Sequence, residues 1–264
     1  NNTLKNQNIL NNNKNIFDTW GFNPNPIIIR NTVRELSEDY PKEVEIMKSW
    51  PCPDDVKKDN YLKDLSIEEK CLAYMMRCNA KIISNKNNII STGSGFFIKP
   101  TILITNNHVI LDKQSNISIL PFGHSEKYIG KVIASDEIND FLAIDIGYPS
   151  IPKMYNFPIC EIALNKPNIN VDVIAIGSPE NKMFNLTKGK LTKYLTQNFI
   201  EVNNEENIIH WIEMTADITY GSSGGPLYYN HKVIGVNTGS YNNNNISIYY
   251  SKLNKFLKDN NLFN

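Results

Sequence analysis

The sequence predicts an all-β fold, and two observations carry that prediction. After residue 77, short apolar runs with alternating side chains are separated by turn residues at intervals typical of a sandwich or barrel. No helical pattern alternates with these runs, which disfavours a parallel sheet covered by helices. The chain has 264 residues, 41% of them hydrophobic, which is enough for one large β domain or two small ones.

The first part of the chain, residues 1–65, differs from the β region that follows it. It is polar, punctuated by proline and without alternation, so we expect an irregular N-terminal extension that wraps on the domain or is partly disordered. Within it, residues 40–50 favour a short helix with Pro41 in its first turn. Ser66 and Glu69 then form a capping-box pattern, which predicts a helix of about ten residues.

About twelve strands follow that helix, according to the alternation pattern. The predicted strands cover 80–84, 95–98, 102–105, 117–120, 128–135, 142–146, 171–176, 190–194, 210–214, 226–229, 233–238 and 246–250. A further helix over 252–258 is expected to close the chain, and no internal repeat is present.

Composition excludes several classes of function. Lysine plus arginine equals aspartate plus glutamate at 27 each, and a net charge of zero argues against a nucleic-acid binder. No apolar run approaches the roughly 20 residues of a membrane-spanning helix, so we expect no membrane span. The four cysteines, Cys52, Cys71, Cys78 and Cys160, have no metal-ligand spacing. We interpret them as buried free thiols, with disulfides as the alternative, and free thiols would favour a reducing compartment. We expect no metal and no cofactor.

A cluster of glycine and serine at 217–227, DITYGSSGGPL, is the strongest candidate for a chemical site. It lacks the lysine that a phosphate-binding loop requires. It does match two nucleophile patterns, GxSxG and GxSGGP, and Ser223 rather than Ser222 stands at the centre of both. The first pattern requires an acid and then a histidine after the serine, but only His231 follows. The second requires the order histidine, aspartate, serine, and His108 and Asp140 precede Ser223 in that order.

Three blocks together resemble the chymotrypsin-fold, or trypsin-like, serine peptidases and are closest to the HtrA/DegP-like branch: TNNHV at 105–109, DFLAIDI at 140–146 and GSSGGPL at 221–227. Further blocks such as STGSGFFI at 91–98 agree, so the resemblance spans about residues 66–260. It implies a protease domain over 66–262, made of two six-stranded antiparallel barrels at about 78–150 and 160–250, with the active site in the cleft between them. Only 41 residues follow Ser223, so we expect no PDZ domain after the protease.

The resemblance assigns a role to each of these residues. His108 is the general base, Asp140 orients its imidazole, and Ser223 is the nucleophile. The backbone N–H groups of Gly221 and Ser223 are expected to bind the oxyanion. Asp145 is the alternative to Asp140, but it lies five residues further along, so on a strand it would point to the opposite face.

Substrate selection is expected to involve the residues around the nucleophile. Asp217, six residues before Ser223, corresponds to the position that selects lysine or arginine in trypsin-like enzymes. The alternative is a structural aspartate that binds N–H groups of its own loop. Thr238, Gly239 and Ser240 are expected to form a pocket wall and a backbone edge that pairs with an extended substrate.

The sequence therefore predicts a serine endopeptidase that acts on a protein or peptide, with a possible preference for a basic residue before the cleaved bond. Two alternatives stay open. The fold could be retained as a binding or structural component, or the protease could process itself in cis. Val109, where many secreted relatives have cysteine, favours an intracellular, organellar or viral-particle setting over classical secretion. The oligomeric state is left open.

Overall fold

The strands of this computed structural model, which describes residues 26–39, 41–57, 63–124, 126–147, 159–179, 184–203 and 205–263, belong to two barrels. The first contains β1 Asn79–Lys86, β2 Ile89–Lys99, β3 Ile102–Thr105, β4 Asn116–Pro121, β5 Tyr128–Asp136 and β6 Phe141–Asp145. The second contains β7 Asp172–Gly177, β8 Asn185–Leu195, β9 Trp211–Met214, β10 Pro226–Tyr229, β11 Lys232–Tyr241 and β12 Asn244–Tyr249.

Both barrels are closed, and every strand pair within them is antiparallel. The strand order is β1-β2-β3-β6-β5-β4 in the first barrel and β10-β11-β12-β9-β8-β7 in the second. Closure gives each strand a hydrogen-bonded neighbour on both sides over at least part of its length. The predicted fold class, two six-stranded antiparallel barrels, is confirmed.

The helices lie at the two ends of the chain. They are α1 Pro26–Asp39, α2 Pro41–Glu45, α3 Asp54–Lys57, α4 Ile67–Arg77 and α5 Tyr250–Asp259. The capping box predicted α4 correctly: the Ser66 hydroxyl accepts from the Glu69 N–H at 3.1 Å, and the Glu69 carboxylate accepts from the Ser66 N–H at 2.8 Å. The predicted closing helix corresponds to α5. Among the helices of the described residues, none is long and apolar enough to cross a membrane.

The N-terminal extension differs from the irregular chain that its composition suggested. Pro26 begins the 14-residue helix α1, where the missing N–H of proline costs no hydrogen bond. Ile29 and Val33 lie four residues apart on one face of α1 and are fully buried. The predicted partial disorder over residues 1–25 falls outside the described residues.

The prediction of free thiols is wrong, because all four cysteines form disulfides. Cys52 pairs with Cys71 and Cys78 pairs with Cys160, with Cα–Cα distances of 5.9 and 5.6 Å. The partners are 19 and 82 residues apart, so only the tertiary fold brings them together. Disulfides persist in oxidising compartments, so they count against the reducing setting that free thiols indicated. The compartment itself stays a prediction.

Three apolar clusters hold the protein together. One fills each barrel, and the third and largest lies between the barrels and the helices. In this third cluster the ring of Phe141 on β6 stacks on Phe256 of α5, with 5.5 Å between ring centroids. The apolar residues of the extension, including Ile29, Val33 and Trp50, belong to the same cluster. The extension is therefore part of the core that joins the two barrels.

Trp50 connects the extension to the β10–β11 hairpin of the second barrel. Its ring meets the rings of Tyr229 and His231 edge to face, with centroid distances of 6.4 and 5.4 Å. His231 is 6% exposed, and burial lowers the pKa of its imidazole from 6.5 to about 4. A second contact from the extension lies nearby, where the Glu43 carboxylate accepts from the Lys188 N–H of β8 at 3.3 Å.

Candidate active site

His108 is presented by a short turn at the end of β3. The turn is the 3-10 helix Asn107–Val109, and Val109 anchors it because its side chain is 2% exposed and packs in the core of the first barrel. The neighbouring His108 consequently points outward, with 49% of its side chain exposed. The imidazole is thus held by a buried neighbour yet is accessible to a substrate.

Asp140 is presented by the turn between β5 and β6. The Asp136 carboxylate accepts from the N–H groups of Ile138 and Asn139 at 3.1 and 3.0 Å, which fixes this turn. Asp140 itself has a left-handed backbone, with φ of 57°, a conformation that aspartate tolerates better than most residues. Its carbonyl also accepts from the Asn107 N–H at 3.1 Å, so the turn is tied to the one that carries His108.

The Asp140 carboxylate is surrounded by three donors. One oxygen accepts from the His108 N–H at 2.9 Å, and the other lies 2.7 Å from His108 Nδ1 and accepts from the Thr238 hydroxyl at 3.0 Å. A carboxylate can only accept here, so Nδ1 carries the proton and Nε2 is left to act as a base. Asp145, the alternative acid, instead accepts from the Gly147 N–H at 2.8 Å. The structure therefore joins His108 with Asp140.

Ser223 lies across the cleft, in the loop that precedes β10. Its hydroxyl donates to the Thr238 carbonyl at 3.2 Å. Because the Thr238 hydroxyl also donates to Asp140, this one residue of β11 contacts both Asp140 and Ser223. Among the hydrogen bonds of the described residues there is none between Ser223 and His108. Such bonds are often long in the absence of substrate and form in the complex.

The backbone of the nucleophile loop leaves two donors free. The N–H groups of Ser222, Gly224 and Gly225 donate to Thr219, Asn237 and Ser222 carbonyls. Those of Gly221 and Ser223 donate to no acceptor within the described residues. These are the two N–H groups that were predicted to bind an oxyanion.

Glycine is required at position 224 of this loop. Gly224 has φ of 84°, and a Cβ there would lie 2.2 Å from both the Ser94 carbonyl oxygen and the Thr105 hydroxyl. Gly221 also has a positive φ, of 92°. The glycines at 221 and 224 are thus explained by backbone conformations that favour glycine, and at 224 also by a close approach that a side chain would prevent.

The predicted substrate edge has the backbone geometry for pairing. β10 pairs with β11 only as far as Val236, so among the described residues no strand pairs with residues 238–240 on the side where Ser223 lies, and only the Ser223 hydroxyl bonds to the Thr238 carbonyl there. A Cβ at Gly239 would meet no atom within 4 Å, so the space beside this backbone is open. Thr238, Gly239 and Ser240 can therefore add an extended peptide by backbone hydrogen bonds.

Asp217 lies in the chain between β9 and the loop that carries Ser223, and it is exposed. Its carbonyl accepts from the Thr187 hydroxyl. Its carboxylate accepts no hydrogen bond from the described residues, which differs from the structural alternative of an aspartate that binds its own loop. Within the described residues, no group of three or more histidine, cysteine, aspartate and glutamate side chains is arranged to hold a metal ion.

Two residues of the site were not identified from sequence in the roles they have. The Thr238 hydroxyl contacts Asp140, whereas the sequence indicated only a backbone role for Thr238. Ser94 of β2, within the STGSGFFI block, donates through its backbone N–H to the Ser223 carbonyl at 2.8 Å. The resemblance of the STGSGFFI block to the family indicated that this segment matters, but it did not indicate which residue Ser94 contacts.

Comparisons with known proteins agree with this geometry. Residues 93–236 match the family model described as a trypsin-like peptidase domain. A probable periplasmic serine endoprotease, DegP-like, from Rickettsia prowazekii is 31% identical over 200 residues, which cover 70% of this chain and 37% of the relative. Serine protease HTRA1A from Danio rerio is 30% identical over 159 residues, covering 60% of this chain and 32% of the relative. The chain thus spans about a third of the length of these curated relatives.

Solved structures are similar as well. The Rv3671c protease from M. tuberculosis, in its active form, superposes with a TM-score of 0.60 at 20% identity, covering 71% of this chain and 82% of that one. At this level of identity the similarity concerns the fold.

Proposed function

The chain belongs to the family of trypsin-like peptidase domains, and on that premise we propose that it is a serine endopeptidase acting through His108, Asp140 and Ser223. One arrangement carries the proposal. The Asp140 carboxylate lies 2.7 Å from His108 Nδ1, and both Asp140 and Ser223 form a hydrogen bond with Thr238. The relatives from Rickettsia prowazekii and Danio rerio are named serine proteases, which supports the same reaction class.

The arrangement supports the following sequence of steps. Ser223 Oγ attacks the carbonyl carbon of the peptide bond while His108 Nε2 takes its proton, and Asp140 stabilises the imidazolium that forms. The N–H groups of Gly221 and Ser223 bind the oxyanion, each contributing about 3 kcal/mol in comparable sites. His108 then gives the proton to the departing amine as the C–N bond breaks. Water, activated by the same histidine, hydrolyses the acyl-enzyme.

A fluorophosphonate probe tests this proposal without knowledge of the substrate. The folded protein is expected to bind the probe covalently at Ser223, as shown by mass spectrometry of the labelled peptide. The Ser223→Ala variant should not react, whereas Ser222→Ala, which removes the buried neighbouring hydroxyl, should still react. A folded protein that does not react, or that reacts equally after Ser223→Ala, would sink the proposal and favour a fold retained for binding. Reaction with the probe but no cleavage of added protein substrates would favour processing in cis.

We also propose that Asp217 selects lysine or arginine before the cleaved bond. Its exposed carboxylate, which accepts no hydrogen bond from the described residues, is available to a cationic side chain. A charge-assisted hydrogen bond of this kind contributes about 1.5–3 kcal/mol, which corresponds to a preference of about 10- to 100-fold.

Asp217→Asn is accordingly expected to lower kcat/KM for arginyl and lysyl peptides by about 10- to 100-fold and to leave leucyl peptides unchanged. A peptide library, with the residue before the cleaved bond varied, measures both in one experiment. The asparagine keeps the size of the side chain, so the comparison isolates its charge. An equal effect on leucyl peptides would assign Asp217 a structural role instead.

A further inference from the structure

Ser94 occupies a point where three segments from both barrels meet. It lies on β2 of the first barrel and is 2% exposed. Its hydroxyl donates to the Gly221 carbonyl at 2.7 Å and accepts from the Ser178 N–H at 2.7 Å, at the end of β7. Its backbone N–H donates to the Ser223 carbonyl at 2.8 Å. Ser94 thus binds the carbonyls of both residues whose N–H groups form the oxyanion site.

The hydroxyl of Ser94 restrains the peptide group between Gly221 and Ser222. Gly221 has no side chain and a positive φ, so its backbone can rotate more freely than that of other residues. The peptide plane between Gly221 and Ser222 is held at two ends: its carbonyl by Ser94, and its N–H by the Thr219 carbonyl at 2.9 Å. Without the Ser94 hydroxyl, a buried carbonyl loses its donor and the plane loses one of its two anchors.

Ser94 is also held by the end of β3. Its carbonyl accepts from the Thr105 hydroxyl at 2.7 Å, and Thr105, at the end of β3, is fully buried. β3 leads directly into the turn that carries His108. The same strand end therefore supports the base and, through Ser94, the oxyanion donors.

We propose that Ser94 is a positioning residue, whose hydroxyl couples the packing of the two barrels to the orientation of the oxyanion N–H groups of Gly221 and Ser223. This inference rests on the proposed peptidase function. It assigns the hydroxyl an effect on the rate of the chemical step rather than on substrate binding, because Ser94 is buried beneath the loop and does not face the cleft.

The rate of reaction with a fluorophosphonate probe tests this inference, since the probe's phosphoryl oxygen occupies the oxyanion site. Ser94→Ala is expected to lower the maximal rate of phosphonylation by about 10- to 100-fold, the effect of displacing reacting groups by about 1 Å. The concentration of probe that gives half of the maximal rate should change little. Ser94→Cys, which has nearly the same volume but is a much weaker hydrogen-bond donor, should lose almost as much, which separates hydrogen bonding from packing.

Ser84→Ala is the matched control. Ser84 is a fully buried serine of β1 in the same barrel, and its hydroxyl accepts from the Leu111 N–H at 3.2 Å. Its loss should lower stability without lowering the maximal rate. The inference is wrong if Ser94→Ala slows the reaction no more than Ser84→Ala does, or if Ser94→Cys reacts like the wild-type protein. Should Ser94→Ala fail to fold, the comparison of Ser94→Cys with Ser84→Ala decides. Failure of the wild-type protein to react would instead overturn the proposed function.

Discussion

Asp140→Asn is expected to lower kcat by about 10⁴-fold while the chain stays folded, the size of the effect that the same change has in a well-studied Ser-His-Asp triad. The Asp140 carboxylate accepts from three donors, the His108 N–H, His108 Nδ1 and the Thr238 hydroxyl. An amide cannot accept from all of them, because one of its two terminal atoms is itself a donor. If the amide NH2 faces His108 Nδ1, the imidazole must carry its proton on Nε2. It can then no longer take the proton of Ser223.

Asp145→Asn provides the matched control for this experiment. It is the same chemical change five residues away, at a carboxylate that accepts only from the Gly147 N–H among the described residues. Its kcat should stay close to that of the wild-type protein. Hydrolysis of a fluorogenic peptide by the three proteins, with folding checked by circular dichroism, measures the difference. Loss of activity in Asp145→Asn but not in Asp140→Asn would exchange the roles of the two aspartates.

The sequence predicted the barrels because their signal is local. Alternation along a strand depends on which neighbours face the core, and that pattern lies within a few residues, as in β4 or β9. The order of His108, Asp140 and Ser223 along the chain can likewise be read directly from the sequence. Motif and order together were enough to identify the residues that the structure brings to one cleft.

The contacts that connect distant segments could not be predicted in this way. Ser94 binds the carbonyl of Gly221, 127 residues away, and Cys78 pairs with Cys160, 82 residues away. A periodic pattern within a few residues cannot predict such pairs, because the two residues come close to each other only when both barrels have formed. Helix α1 was missed for a related reason, whereas the helix that begins at Pro41 was predicted. The apolar residues of α1 become a consistent face only when α1 packs against the rest of the protein.

The second large effect is expected on stability, for a substitution of Trp50 in the N-terminal extension. Trp50→Ala is expected to lower the free energy of unfolding by about 3–5 kcal/mol, the usual cost of truncating a buried aromatic residue. Trp50 is 6% exposed and belongs to the apolar cluster between the barrels. Urea denaturation at pH 7 measures the loss, and Trp50→Phe, which keeps a ring against His231, should lose much less. A loss below about 1 kcal/mol would mean that the extension is a peripheral attachment.

The pH dependence of the same variants gives a second, independent result. Burial lowers the pKa of His231 from 6.5 to about 4, so between these values the unfolded chain binds a proton that the folded protein does not. The contribution of His231 to the free energy of unfolding is therefore fully present above about pH 6.5. It is lost as the pH falls toward 4. Trp50→Ala uncovers the imidazole, which raises its pKa toward the ordinary value and removes part of this acid sensitivity. The stability difference between wild type and Trp50→Ala should consequently be larger at pH 7 than at pH 5. A difference that does not change with pH would mean that Trp50 does not cover His231 in solution, even if the loss at pH 7 is as large as expected.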